Sequence, residues 1–209
     1  MVCFVAIPAY DILFSGTCLS HFSFPQIYAI INLMKKVIVK CHVHERDRLE
    51  KNLEDIDLTF SPIYWLHDRV FVPRGYKGRH NFPRLVMRTI MHAVDEPPTY
   101  LMSLRRHIED SGIDIIENTT ITDYPGMVNI IMQLGFKQFG EISLRREEIK
   151  ISDSTMLYLD TLDRDDSIFA KLETVLDENS PATTTKSDLI RTLRSFGETD
   201  IVESAYFEL

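Results

Sequence analysis

The sequence predicts an α+β fold built around a largely antiparallel sheet. Many short runs of β-branched and aromatic residues follow one another along the chain, which is the pattern of strands. Helical periodicity is limited to a few segments. Turns rich in Asp, Pro and Ser, at 95–98 and 152–154, join neighbouring runs directly. Strands connected in this way lie antiparallel in a sheet.

The predicted strands begin with the β-branched run Lys-Val-Ile-Val-Lys-Cys-His-Val-His. Seven further runs have strand-like composition and are bounded by polar or turn residues. The eight predicted strands are 36–44, 70–72, 85–93, 99–105, 113–122, 141–151, 155–160 and 168–176. The glycine-containing basic stretch 76–81 predicts a loop.

Three predicted helices lie between these strands. The segment 45–56 carries apolar residues at helical spacing. A second helix begins at Asp123 or Tyr124, with Pro125 in its first turn and Gly135 placed to end it. A third is capped by Ser187 and ends at Gly197, after a predicted loop at 179–185. The apolar positions are Leu49, Leu53, Ile56, Met127, Ile130, Ile131, Leu134, Leu189, Leu193 and Phe196.

Residues 1–34 predict an N-terminal extension to a single domain at 35–209. Residues 12–34 carry no Asp, Glu, Lys or Arg, but Ser, Thr, Gly, Pro and Asn interrupt the apolar run. A membrane span needs a sustained run of about 20 apolar residues, and a signal peptide needs a basic region before it. We therefore expect a packed extension with a short strand and a helix near 26–34.

The composition is that of a globular protein, with 44% hydrophobic and 26% charged residues among 209. The formal net charge of −8 argues against non-specific nucleic-acid binding, which needs an excess of Lys and Arg. The three cysteines, Cys3, Cys18 and Cys41, have no metal-ligand spacing. This pattern favours reduced thiols and a cytoplasmic protein.

Several short motifs occur in a fixed order through the predicted domain. They are Asp68-Arg69-Val70-Phe71, 84–88, Tyr100-Leu101-Met102-Ser103-Leu104-Arg105, Leu134-Gly135-Phe136, 142–146, Leu157-Tyr158-Leu159-Asp160, Phe169-Ala170-Lys171-Leu172-Glu173 and Ser204-Ala205-Tyr206-Phe207-Glu208-Leu209. Their order and spacing resemble the CYTH family of triphosphate tunnel metalloenzymes, which includes class IV adenylate cyclases and thiamine triphosphatases. The resemblance covers roughly residues 35–209.

The resemblance implies an antiparallel eight-stranded β-tunnel, a closed barrel with flanking helices. It also implies that the interior binds a triphosphate or polyphosphate with Mg²⁺ or Mn²⁺. Alternate side chains of a strand share one face, so the faces that would line the tunnel can be counted. They carry Lys40, Arg84, Arg88, Arg105, Arg146 and Lys171, against Asp160, Glu173 and either Glu117 or Glu148.

These faces give the predicted site. Arginine forks match phosphate oxygens with paired hydrogen bonds. We therefore predict a basic interior, and the resemblance to the family implies that Lys40 is its catalytic residue. The predicted substrate ligands are Arg84, Arg88, Arg105, Arg146 and Lys171. The predicted metal ligands are Asp160, Glu173 and Glu117. Strand charges that point to solvent from an open sheet are the alternative.

The chain departs from the family where the family binds metal. The family's first motif is Glu-x-Glu-x-Lys, and the matching residues here are Lys36-Val37-Ile38-Val39-Lys40. The later Glu-x-Glu is Lys171-x-Glu173. Hard divalent ions need several oxygen ligands. A substitute metal cluster of His42, His44 and Glu45 is an alternative, but we interpret these residues as the polar end of a strand.

Three functions therefore stay open. The first is a metal-dependent triphosphate hydrolase or cyclase. The second is a catalytically inactive module that binds a polyanion or an acidic partner. The third function is a scaffold that associates through residues 1–34, for which a homodimer is one form. The expected partner is a small-molecule triphosphate or polyphosphate, with no nucleic acid and no membrane span.

Overall fold

The computed structural model describes residues 34–77, 82–108, 113–176 and 181–202. They belong to one compact unit that spans Ile31–Leu209. The predictions for 1–33 and the motif at 204–209 lie outside the described residues. Across the described ranges, no helix combines the length and the apolar character needed to cross a membrane.

Nine strands and three helices occur in the described ranges. Their order is β1 (Met34–His42), α1 (Arg46–Glu54), β2 (Tyr64–Pro73), β3 (Arg84–Met91), β4 (Thr99–Ile108), β5 (Ile113–Ile121), α2 (Tyr124–Gln133), β6 (Phe136–Lys150), β7 (Thr155–Leu162), β8 (Ile168–Val175), α3 (Ala182–Ser195) and β9 (Asp200–Val202).

The strands form one antiparallel sheet that closes on itself. The order is β5-β4-β3-β2-β6-β7-β8-β1-β9. The first residues of β1 also pair with β5, from Met34 opposite Ile116 to Val37 opposite Ile113. Strands β1 to β8 therefore make a closed eight-stranded barrel, and β9 pairs with the last residues of β1. The predicted α+β barrel with flanking helices is confirmed.

Helices cover two parts of the outer surface. Alternate residues of β1, including Val37 and Val39, are buried in the main core together with Leu49 of α1 and Leu193 of α3. On another side, Ile131 of α2 packs with residues of β2, β3 and β5. The strand residues that alternate with these apolar positions must point into the barrel.

Apolar side chains fill part of the interior. Leu66, Ile142, Leu144, Leu162 and Phe169 form a separate buried cluster. Their cross-strand pairing places them on the inward face, since Leu66 lies opposite Leu144 and Leu144 lies opposite Leu162. Burial of this cluster leaves the charged side chains in the rest of the interior.

Several elements differ from the sequence predictions, and β6 begins at Phe136, five residues before its predicted start. Strand β2 begins at Tyr64, six residues before the predicted start, because Tyr64 and Asp68 find partners inside the barrel. Helix α3 begins at Ala182, within the predicted loop at 179–185, and Ser187 lies inside it. There the Ser187 hydroxyl donates to the carbonyl of Thr183. Strand β9 is too short to be recognised by its pattern.

Candidate anion-binding site

Eight of the nine predicted site residues lie on the inward face of the barrel. Residues that stand directly opposite in adjacent strands share a face. Arg84 lies opposite Arg105, and Lys40 lies opposite Lys171. Strand register places the other predicted residues on the same face, since Arg88 lies opposite Asp68, Arg146 opposite Asp160, and Glu173 opposite Ile38. The sheet thus brings these charges to one interior.

Glu117 is the exception. It stands between Ile116 and Asn118 on β5, and those neighbours lie opposite the inward residues Arg105 and Ser103. Glu117 itself lies opposite Leu104, which is exposed. Its carboxylate therefore belongs to the outer face and is not brought together with Asp160 and Glu173. Glu148, the alternative from the sequence, does face inward and accepts a 2.8 Å hydrogen bond from the Tyr64 hydroxyl.

The deepest ion pair joins Arg146 of β6 to Asp160 of β7. Two parallel hydrogen bonds link them, with Nη2 of Arg146 2.7 Å from Oδ2 of Asp160. Arg146 is 4% exposed and Asp160 is fully buried. The guanidinium also lies 4.5 Å from the centre of the Tyr158 ring. Paired geometry of this kind is what allows two charges to be buried together.

A second pair joins Arg88 of β3 to Asp68 of β2. Both guanidinium nitrogens involved donate to the carboxylate, at 2.7 and 2.6 Å. Burial disfavours the charged form of Asp68, but Arg88 outweighs this effect and holds the pKa of that carboxyl below its usual value. Sequence reasoning missed Asp68 because β2 was predicted to begin at Val70, so the alternation was not extended to it.

Glu173 lies between two ammonium groups. Its carboxylate accepts from Lys36 at 3.0 Å and from Lys171 at 2.7 Å. Although burial opposes ionisation, these two lysines keep the pKa of Glu173 far below its usual range. Burial, assisted by the positive charge of Arg146, lowers the pKa of Lys171 to about 8. Lys36 had not been predicted as a site residue, although its alternation with Lys40 could have indicated it.

Arg105 is the interior cation with an unsatisfied donor. Among the residues that the structure describes, its buried Nε has no hydrogen-bond partner. Burial lowers the pKa of Arg105, and the neighbouring charge of Arg88 lowers it further. A buried guanidinium with a spare donor is the group that an anionic ligand satisfies.

The carboxylates of the interior do not fit a Mg²⁺ or Mn²⁺ ion. Asp160 is held by Arg146, Glu173 by two lysines, and Glu117 lies on the other face. A hard divalent ion needs several oxygen ligands that converge on one point. Lys36 also brings a positive charge to the position where the family's first motif has a carboxylate.

No sequence-family model matches the chain, and no curated protein matches it. Solved structures do. A protein from Pyrococcus horikoshii OT3 is 16% identical over 83% of this chain and 96% of its own, with a TM-score of 0.71. A candidate adenylate cyclase from Vibrio parahaemolyticus is 17% identical over 83% and 95%, with a TM-score of 0.68.

A third structure is a candidate adenylyl cyclase from Hippeastrum in which triphosphatase activity dominates. It is 13% identical over 84% of this chain and 93% of its own, with a TM-score of 0.53. The chain therefore has the closed-barrel fold of these proteins, as the resemblance to the CYTH family implied. The likeness is one of fold, because the three structures are only 13–17% identical to this chain.

Proposed function

We propose that the barrel interior binds a triphosphate-type polyanion. The observation that carries this proposal is the buried Nε of Arg105, which lies near the paired Arg88 and has no hydrogen-bond partner in the part of the chain that the structure describes. Phosphate oxygens accept hydrogen bonds from such a guanidinium, and Arg presents its donors in a fork that matches them.

The charges of the interior support a ligand with several negative charges. In the described strands, seven buried or half-buried cations face inward, against the five carboxylates Asp68, Asp114, Glu148, Asp160 and Glu173, an excess of two. The cations are Lys36, Lys40, Arg84, Arg88, Arg105, Arg146 and Lys171. Like charges crowded away from water repel one another strongly. A polyphosphate offsets this excess, whereas the chain as a whole carries −8.

Binding in this interior does not depend on a divalent ion. The ammonium groups of Lys36 and Lys171 supply positive charge beside Glu173, which is the electrostatic contribution that a metal makes toward phosphate. The triphosphatase activity of the Hippeastrum protein supports a triphosphate as the ligand class.

The test is a thermal-melting series with sodium tripolyphosphate. We expect the anion to raise the melting temperature equally with EDTA and with Mn²⁺ held in excess of the ligand, because mass action favours the state that binds. Sulfate at matched ionic strength is the control for non-specific salt effects. No shift with tripolyphosphate, or a shift only with Mn²⁺, contradicts metal-independent binding.

A matched pair of variants localises the effect. Arg105→Met removes the interior guanidinium, whereas Arg106→Met removes the same group from the exposed neighbouring position on the outer face. We expect the tripolyphosphate affinity to fall at least about 30-fold in Arg105→Met and to stay within twofold of the parent in Arg106→Met. Equal losses in both variants place the anion outside the barrel.

Triphosphate hydrolysis is a second candidate. It is favoured by the neighbour in which triphosphatase activity dominates and by Lys40, which faces the interior opposite Lys171. Phosphate release from tripolyphosphate, measured with and without Mn²⁺, tests it. We expect Lys40→Met to abolish any release that the outward-facing Lys35→Met retains. Release no faster than in buffer rejects hydrolysis and leaves the binding proposal intact.

A further inference from the structure

Two histidines and an aspartate meet where β1 ends, apart from the ion pairs of the interior. His42 is the last residue of β1, and Asp200 opens β9 directly opposite it. His44 lies two residues further on, with the buried Val43 between the two histidines. One donor atom from each of the three side chains lies within 4.8 Å of the donor atoms of the other two.

The spacing of these donors is close to that of a metal site. Zinc binds imidazole nitrogen and carboxylate oxygen at about 2.0–2.1 Å, so two ligands of a tetrahedral ion lie about 3.3 Å apart. Nε2 of His44 is 3.4 Å from Oδ2 of Asp200. The imidazole rings of His42 and His44 have centroids 4.5 Å apart. His44 and Asp200 are exposed, so small rotations of their side chains bring the third donor into range.

His42 supplies an independent indication. Its Nδ1 is buried and has no hydrogen-bond partner among the described residues. Its ring packs edge-on against Phe169, with centroids 5.1 Å apart, which fixes the orientation of the imidazole. A buried ring nitrogen that neither donates nor accepts a hydrogen bond is costly. Binding of a metal ion by the His42 ring would account for this nitrogen.

We propose that His42, His44 and Asp200 bind Zn²⁺, with water in the fourth position. Two imidazoles and one carboxylate suit zinc, whereas Mg²⁺ and Ca²⁺ favour oxygen ligands alone. Asp200 takes the place of Glu45 in the alternative cluster from the sequence. Oε2 of Glu45 instead lies 3.8 Å from Nη1 of Arg48. The ion joins β9 to β1 and so holds the three-residue strand β9 on the barrel.

Titration calorimetry of the full chain with ZnCl₂ tests this proposal. We expect one equivalent of Zn²⁺ to bind and Mg²⁺ to give no binding heat. Co²⁺ should bind at the same site with the visible absorption of a tetrahedral complex. His44→Ala and Asp200→Asn each remove one of three ligands, so each should weaken Zn²⁺ binding at least about 100-fold.

His92→Ala is the matched control, since His92 is exposed at another strand end and belongs to no such cluster in the described residues. It should leave zinc binding unchanged. Zinc should also raise the melting temperature of the parent but not of His44→Ala. Binding that survives both ligand substitutions, or several weak equivalents lost equally in His92→Ala, overturns the proposal. Arg105→Met should keep the zinc site, which separates this result from the fate of the anion proposal.

Discussion

Two interior arginines that look alike in the sequence should respond oppositely to removal of their charge. Arg146 is buried in a paired contact with Asp160, whereas the buried Nε of Arg105 has no partner among the residues with described positions. Arg146→Met strands a buried carboxylate and should lower the free energy of unfolding by roughly 3–5 kcal/mol. Arg105→Met leaves no carboxylate of the described residues without its ion-pair partner. The free energy of unfolding should therefore stay unchanged or rise by up to about 2 kcal/mol. Urea unfolding without added anion measures both, and losses of equal size contradict this difference.

The proposed polyanion binding should depend on pH through Lys171. Its pKa is lowered to about 8 from the ordinary 10.5, by burial and then by Arg146. Between these values the unfolded chain binds more protons than the folded chain, so the contribution of Lys171 to stability rises with pH. Anion binding changes in the opposite sense, because the ammonium charge is lost above pH 8.

We therefore expect tripolyphosphate affinity to fall about tenfold between pH 7 and pH 9 in the parent, relative to Lys171→Met. Protonation of tripolyphosphate itself affects both proteins equally, so it cancels in the ratio of the two affinities. Calorimetry at fixed ionic strength gives the ratio of affinities at each pH. A constant ratio means that Lys171 does not contact the anion.

Alternation along predicted strands was sufficient to group most of the interior charges. Arg84 and Arg88 are four residues apart and Lys171 and Glu173 are two apart, so each pair shares a face of its strand. It was not sufficient to show which charges neutralise one another. The pairing of Arg88 with Asp68, or of Lys36 with Glu173, depends on strand register, which a single sequence does not specify.

At the scale of the element, helix α2 depends on Asp123, the N-cap residue that precedes it. The carboxylate of Asp123 accepts a 2.9 Å hydrogen bond from the amide of Gly126. Loss of an N-cap side chain typically costs about 1 kcal/mol, so Asp123→Ala should lower stability by about that amount and Asp123→Asn should lower it much less. Chemical denaturation of the three proteins measures the difference. Equal stabilities would show that the cap contributes nothing.

The same cap explains the glycine that follows it. A methyl group at Gly126 would lie 2.1 Å from an oxygen of Asp123. Alanine normally stabilises a helix relative to glycine by up to about 1 kcal/mol. Here Gly126→Ala should give no gain, because it displaces the capping carboxylate. A clear rise in the free energy of unfolding would contradict this reasoning.

The elements that were predicted well are those whose pattern agrees with their surroundings. Helix α2 has a cap, an apolar stripe and a terminal glycine, and its bounds were predicted closely. Strand β2 contains the polar run His67, Asp68 and Arg69, and such a run is typical of a loop. Asp68 is compatible with a buried strand because it forms an ion pair with Arg88 inside the barrel. Helix α3 begins with a run of threonines of low helix propensity, and Thr185 bonds back to the carbonyl of Pro181.

At the scale of the whole molecule, the described strands close the barrel among themselves. Each strand in the described ranges begins at or after Met34. A variant that lacks residues 1–30 should therefore unfold cooperatively and keep its response to tripolyphosphate. Circular dichroism with thermal melting measures the first property. Loss of the cooperative transition would show that residues 1–30 complete the fold.

The same variant tests association through the N-terminal extension. One of the three hypotheses from the sequence is that residues 1–34 mediate association, with a homodimer as one form. If so, removal of residues 1–30 should reduce the number of chains per particle, which light scattering measures. An unchanged number of chains rejects that hypothesis, whatever the outcome for stability.

The closed barrel itself was accessible from the sequence only through resemblance. Composition and alternation predict an antiparallel sheet, but an open sheet and a closed one share these patterns. Closure is decided by the pairing of β1 with β5 and β8, which are distant in sequence. The order of the family motifs carried that information, and the similar solved structures agree with it.

The position of β1 in the ring has a consequence for synthesis. Cys41 lies opposite Ala170, 129 positions later. At about 5–20 residues per second, a ribosome needs roughly 6–26 s to make the partner of β1 after β1 itself. During that interval the nascent sheet has open edges, which invite intermolecular pairing. Nascent chains arrested before residue 168 should therefore be the aggregation-prone species, and the cell's chaperones should meet this protein chiefly on the ribosome.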